Sequence, residues 1–181
     1  LHFVVSVVDD HARKLHLGYG YSCHICVLRP ASRGSVTLAS ADPMAAPTID
    51  PNFLAQDSDL TTLIKGAKMA REIMKTPPLA AYEHKELFGV RDGMTDADWA
   101  NVIRARADTI YHPVGTCKMG VDDSAVVDPR LRVHGVQGLR VVDASVMPSV
   151  TSGNTNAPTI MIAERAADLI KADAAQPAAA A

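Results

Sequence analysis

Cysteine is scarce in this chain of 181 residues: Cys23, Cys26 and Cys117 are odd in number and too few for a disulfide framework, which points to a reducing compartment. An excess of one charge is missing as well. The 18 basic and 20 acidic side chains leave a net charge of −2, with no basic stripe of the kind a nucleic-acid groove requires. Long apolar runs are absent, since the windows at 3–8 and 157–163 end well short of the roughly 20 residues needed to cross a bilayer. Gly18-Tyr19-Gly20 is followed by Tyr21-Ser22-Cys23, so the third glycine of a dinucleotide fingerprint is lacking, and the chain is not expected to build a dinucleotide site of its own. Nor does residue 1 read as a start. It is Leu, the first basic side chain is Arg13, and no basic region precedes the first apolar stretch, so the sequence reads as a fragment with illegible targeting.

What is present, 48% hydrophobic and 21% charged residues, fits an ordinary soluble domain. β-rich runs at 1–8, 20–28 and 35–39 are separated by turn residues, which predicts an antiparallel sheet. Asp42-Pro43 and Ile49-Asp50-Pro51-Asn52 read as loop punctuation, because a residue before proline is pushed out of the helical region. The period then changes. Leu60, Leu63, Ile64, Ala67, Ala70, Ile73 and Met74 recur at three and four, predicting a helix over 58–75 capped by Ser58 and stopped by Pro77-Pro78. A second helix is expected after Thr95, with Asp96 and Asp98 in its first turn and Trp99, Val102, Ile103 and Ala107 as its buried stripe. A strand-like run at 139–142 precedes a last helix over 157–172, with Pro158 in its first turn and Ile160, Ala163, Ala167 and Ile170 as its apolar face. The Ala-rich tail at 174–181 is read as frayed and disordered.

Cys23-His24-Ile25-Cys26 has metal-ligand spacing, yet no second Cys or His pair follows, and on a strand the two thiols face opposite sides. Small residues in a sheet are the better reading, and no metal is expected. His2, His11, His16, His84 and His134 sit among polar or turn residues with nothing to single them out. Two segments differ. In Tyr111-His112-Pro113-Val114-Gly115-Thr116-Cys117-Lys118-Met119-Gly120 a histidine lies in a loop just beyond a helix, where catalytic groups concentrate. The other runs from Val142-Asp143-Ala144 through Gly153-Asn154-Thr155-Asn156 to Ala157-Pro158-Thr159, a strand end leading into a helix N-terminus, which suits negative charge. Capping by Asn154 or Asn156, with a turn at Gly153, accounts for that segment without any ligand.

At these segments the sequence resembles the glucose–methanol–choline oxidoreductase family of FAD-dependent alcohol oxidases and dehydrogenases. Further blocks carry the likeness: Arg29-Pro30, Arg33-Gly34, Ile49-Asp50-Pro51-Asn52, Val127-Asp128-Pro129, Leu139-Arg140-Val141-Val142 and Ala163-Glu164. Several blocks in order at consistent spacing make it specific, and it covers nearly the whole chain. The resemblance implies an α+β fold: an antiparallel-sheet substrate domain with flanking helices over 1–110, and over 111–173 the catalytic loop with the C-terminal return segment of a Rossmann-type FAD domain. His112 matches the catalytic histidine of the family. Asn154 matches its partner, favoured over Asn156 by the spacing back from Ala163-Glu164-Arg165, while Asp143, Ala144, Asn156, Ala157, Pro158 and Thr159 match positions near FAD.

The implied reaction is oxidation of a primary alcohol to an aldehyde, with hydride passing to flavin N5 and His112 as the base. An alcohol O–H is about as weak an acid as water, ~15.7, against roughly 6.5 for histidine, a gap that costs about 12 kcal/mol. Free ionisation is too expensive, so proton and hydride transfer must be coupled or the alkoxide stabilised. A neutral His112 can take the proton while Asn154, which does not titrate, fixes the oxygen. The expected partners are a small alcohol and a quinone or other non-oxygen acceptor. A bacterial cytoplasmic location, with peripheral contact at the inner membrane left open, goes with them. Two alternatives stand beside this reading: a choline dehydrogenase, for which 4% aromatics offer few candidates for a cationic cage, and an inert α+β fragment lacking the FAD site.

Overall fold

A computed structural model describes residues 1–10 and 13–175; His11 and the tail from 176 onward lie outside the described residues. The elements run β1 (His2–Val4), β2 (Ser22–His24), β3 (Ser35–Thr37), β4 (Thr48–Asp50), α1 (Asp57–Met74), α2 (Pro77–Ala80), α3 (Asp96–Arg106) and α4 (Asn156–Ala174). The fold is a small α+β arrangement with two separate two-stranded antiparallel sheets, β1 with β2 and β3 with β4. Phe3 lies opposite Cys23 in the first, and Val36 opposite Ile49 in the second. Strands β1, β2 and β3 are shorter than the β-rich runs that contain them.

The chain forms two compact units, Leu1–Gly34 with Pro51–Ile110, and Ser35–Asp50 with the chain from Tyr111 onward. Residues 1–110 are therefore not one contiguous unit: the β3–β4 hairpin is paired within itself and groups with the later chain. The hairpin also corrects the reading of 49–52 as loop. Pro51 does force an extended residue before it, but a strand meets that demand as well as a loop does.

In the first unit, α1 begins one residue before the expected cap. Gln56 holds the N-cap position without a side-chain bond, and Ser58 lies inside the first turn. Asp59 does more than complement the helix dipole. Only 4% exposed, its two carboxylate oxygens accept the N–H groups of Ala31 at 2.9 Å and Ser32 at 2.8 Å, and the Ser32 hydroxyl also donates to it. The 29–34 turn is thereby pinned to the start of α1. Pro77 and Pro78 end α1 as expected, yet they also open α2, where the first helical positions need no N–H. Helix α3 follows its sequence except at Ala107, which is its exposed C-cap and not part of the buried stripe. The Thr95 hydroxyl accepts from the Asp98 N–H, Asp98 accepts from the Thr95 N–H, and Trp99 and Ile103 are buried.

The core of the second unit gathers Val127, Leu131, Val146, Met147, Ile162 and Ala166, with Val127 and Val146 wholly buried. Helix α4 contributes Ile162, Ala166 and Leu169, spaced four and three apart. The face expected from the sequence is turned outward, with Ile160 57% and Ile170 47% exposed. The helix is apolar on more than one side, so periodicity alone cannot choose the buried face. It also reaches Ala174, one residue into the stretch read as tail.

Burial alone would push the Asp59 carboxyl up, but the hydrogen bonds from Ala31 and Ser32 outweigh it and hold the group below the usual carboxylate range. Because the folded value is depressed, the stabilisation is present above the unfolded value of about 3.9 and is lost as pH falls through the folded one. Asp59→Asn must set an amide N–H against one of the two backbone donors. Urea unfolding at neutral pH should show a loss of about 1–3 kcal/mol, and the difference from wild type should shrink as the acid limit is approached.

Candidate active site

His112 is held by its neighbours in sequence. Tyr111 has a positive φ of 67° and Pro113 follows, so the backbone on both sides of His112 is restricted. The loop then turns at Gly115, whose φ of 92° suits glycine. The N–H groups of Gly115 and Cys117 both donate to the carbonyl of Ser145 at 3.0 Å, and the Met119 N–H donates to that of Val146 at 2.8 Å. The 115–119 and 143–147 segments therefore run side by side.

Asp143 closes the second of these segments, its carboxylate accepting the Ser145 N–H at 2.7 Å to cap a single 3-10 turn at Ala144–Val146. Val146 and Met147 then pack on Ile162 and Ala166 of α4, with Val114 and Met119 partly buried against the same cluster. That packing brings the start of α4 to the histidine: His112 Nδ1 lies 3.0 Å from Thr155 Oγ1 and 3.4 Å from Thr155 N, across 43 residues of sequence.

The sequence-derived candidates fall around this contact. Asn154, exposed, directly precedes Thr155, and exposed Asn156 and Ala157 open the helix. Pro158 and Thr159 are half-buried, and the Thr159 hydroxyl donates to the Thr155 carbonyl at 2.6 Å. Asp143 is exposed and Ala144 half-buried on the neighbouring turn. Neither asparagine caps α4. The N-cap is Thr155, only 8% exposed, and its hydroxyl makes no capping bond because it faces the imidazole. Sequence reasoning missed this residue, since a threonine before a helix reads as a cap and nothing local shows a partner 43 residues away.

Electrostatics set α4 apart from the other long helices. Helices α1 and α3 each carry two aspartates in the first turn, whereas α4 carries no acidic residue there and has Lys171 in its last turn. Its N-terminal N–H groups and dipole are thus not neutralised from within the helix. All three cysteines are free and half-buried, and among the described residues no cluster of His, Cys, Asp or Glu could hold a metal ion. No helix among them is long and apolar enough to cross a membrane.

Comparison with known proteins matches this architecture. The family model of GMC oxidoreductase covers residues 30–163. The chain is 51% identical over 169 residues to the alcohol dehydrogenase [acceptor] of Pseudomonas putida, covering 93% of the chain and 31% of that protein. It is 47% identical over 172 residues to the mitochondrial choline dehydrogenase of Homo sapiens, covering 94% of the chain and 29% of that protein. Among solved structures it is similar to pyridoxine 4-oxidase from Mesorbium loti, with a TM-score of 0.74 and 34% identity over 80% of the chain and 28% of that protein. An FAD-dependent oxidoreductase from Chaetomium thermophilum gives 0.77 and 33%, over 81% of the chain and 26% of that protein. The chain belongs to the GMC oxidoreductase family, and it spans about a third of the length of the curated relatives it matches.

The turn at Gly115 is the hinge on which the histidine loop meets the 143–147 segment. Gly115→Ala would place an L side chain at positive φ, although the added carbon meets only the Met147 carbonyl at an ordinary 3.5 Å. Backbone strain should therefore dominate, lowering stability by about 1–2 kcal/mol. A thermal melt should show the drop.

Proposed function

We propose that this chain serves in an FAD-dependent alcohol dehydrogenase that oxidises a primary alcohol to an aldehyde, with His112 as the base and Asn154 orienting the alcohol oxygen. The observation that supports the reading is the fixing of His112 against Thr155 at the start of α4, the residue that follows Asn154 in sequence. In this assignment residues 1–110 contribute to the substrate-binding domain. Residues 111–173 hold the catalytic loop and the return segment of a Rossmann-type FAD domain.

The donors present suit the cofactor. Asn156, Ala157 and the first turn of α4 offer exposed amide groups at the positive end of a 19-residue helix with no acidic side chain in that turn. Asp143, Ala144, Pro158 and Thr159 complete the set that would hold FAD. When bound, FAD would supply the acceptor for the hydride that leaves the alcohol carbon. The chain's own residues handle the proton. His112 takes it from the alcohol oxygen, so charge need not accumulate on that oxygen as the carbonyl forms. Asn154 can donate a hydrogen bond to the same oxygen at any working pH because its amide does not titrate.

Oxidation by an acceptor other than oxygen, such as a quinone, is favoured by the likeness to the Pseudomonas putida alcohol dehydrogenase [acceptor]. Choline is the second substrate reading, supported by 45% identity to a relative named oxygen-dependent choline dehydrogenase, which would favour oxygen as acceptor, and 47% identity to the mitochondrial choline dehydrogenase. Against it, aromatic residues for a cation cage are few, at 4%.

In the flavoenzyme containing this chain, His112→Ala should slow flavin reduction by alcohol by roughly 10²-fold or more, as expected for a lost general base. Anaerobic stopped-flow absorbance reads the bleaching directly. An unchanged rate removes His112 from the mechanism.

A further inference from the structure

The contact between His112 and Thr155 contains a choice that the proposed chemistry has to settle. A neutral imidazole carries one proton, on Nδ1 or on Nε2, and only the nitrogen without it can accept another. Thr155 presents two different groups to Nδ1: its hydroxyl at 3.0 Å, which can donate or accept, and its backbone N–H at 3.4 Å, which can only donate. The N–H therefore favours a bare Nδ1 and a proton on Nε2. The hydroxyl is nearer and can favour the reverse.

We infer that Thr155 is a positioning residue whose hydroxyl accepts a hydrogen bond from Nδ1–H of His112, and so keeps Nε2 as the free, proton-accepting nitrogen. This rests on the reading of His112 as the base. Three features make Thr155 suited to the task. It is 8% exposed, so little water competes for the bond. Its hydroxyl is not engaged in capping α4, although it occupies the N-cap position where a threonine would ordinarily serve that purpose. Its carbonyl is held by both the N–H of Thr159 at 3.0 Å and the Thr159 hydroxyl, which anchors the residue to the first turn of the helix.

The same bond serves both ends of the proton transfer. Before it, Nδ1–H donates to Thr155 Oγ1 and the Nε2 lone pair is free. After the alcohol proton has gone to Nε2, the imidazolium still donates from Nδ1 to the same oxygen, so no partner has to rearrange. Without the hydroxyl, the backbone N–H alone faces Nδ1. The ring then settles with its proton on Nε2, where it cannot act as a base, and the imidazolium meets a donor instead of an acceptor.

The test compares Thr155→Val, which keeps the branched shape and removes the oxygen, with Thr155→Ser, which restores it, in the flavoenzyme containing this chain. Should valine not be accommodated, Thr155→Ala removes the same acceptor. Ring-nitrogen chemical shifts of His112, assigned by their loss in His112→Ala, show which nitrogen holds the proton. Thr155→Val is expected to move that proton from Nδ1 to Nε2 and to slow flavin reduction at saturating alcohol roughly tenfold or more. The half-saturating alcohol concentration should stay unchanged, and Thr155→Ser should recover most of the rate. An unmoved proton in both Thr155→Val and Thr155→Ala overturns the inference, whatever the rate does. A moved proton with unchanged reduction upholds the control of the ring by Thr155 and overturns the assignment of His112 as the base.

Discussion

The second unit depends on one packing constraint: Ile162 and Ala166 of α4 set against Val146 and Met147, with Val127 and Leu131 completing the cluster. Between Tyr111 and the start of α4 the backbone is almost wholly irregular, with a single 3-10 turn, so neither a long sheet ladder nor a helix holds it in place. Irregular backbone that is partly buried must still find partners for its N–H and C=O groups. It finds them between loops: the Ser145 carbonyl takes two N–H donors, and the 118–120 and 126–127 segments exchange further bonds. Those bonds fix the loops against one another, while the apolar cluster fixes them to α4. Removing the cluster would leave His112 and Thr155 on separate, unanchored segments.

Helix α4 is tied at both ends. At its start Thr155 meets His112, and near its end Asp173 accepts from the guanidinium groups of both Arg130 and Arg140. Burial works against the Asp173 carboxylate, but the two arginines outweigh it and hold the group below its ordinary range. The same region, 128–141, is stitched by Asp128, which accepts the N–H groups of Arg130 and Arg132. A helix anchored at both Thr155 and Asp173 has little freedom to rotate about its axis, which is the motion that would most easily carry Thr155 away from the imidazole.

The parts of this arrangement legible in the sequence are those whose cause is local. Helix α3 could be read because Thr95 and Asp98 satisfy each other within one turn, and α1 because its apolar residues keep one period for eighteen residues. The buried face of α4 was not legible: Ile160, Met161 and Ile162 are consecutive and apolar, and only the distant cluster of Val127, Leu131, Val146 and Met147 decides which is covered. The strand Thr48–Asp50 escaped because its proline reads the same in a loop. Thr155 is the clearest case, for its partner lies 43 residues away and its side chain imitates a cap. His112 and Asn154 were singled out by family resemblance, which carries long-range information that periodicity lacks.

A base must be held in place without being made unable to accept a proton, and these two demands conflict for histidine. Restricting the backbone meets the first: Pro113 confines His112 to extended conformations even before folding, so less entropy is lost when the ring is finally set, while the packed loop maintains the strained positive φ at Tyr111. Fixing the ring itself requires a hydrogen bond to one nitrogen, and the type of partner then decides the fate of the other. A carboxylate would hold Nδ1–H firmly but add a buried charge, while a backbone N–H alone would leave the wrong nitrogen free. A neutral hydroxyl accepts without charge and can reorient its own proton, which suits a site where negative charge is expected nearby at the uncompensated end of α4. In the proposed reading of His112 as the base, the absence of acidic residues from that turn and the presence of a threonine rather than an aspartate before it answer the same electrostatic requirement.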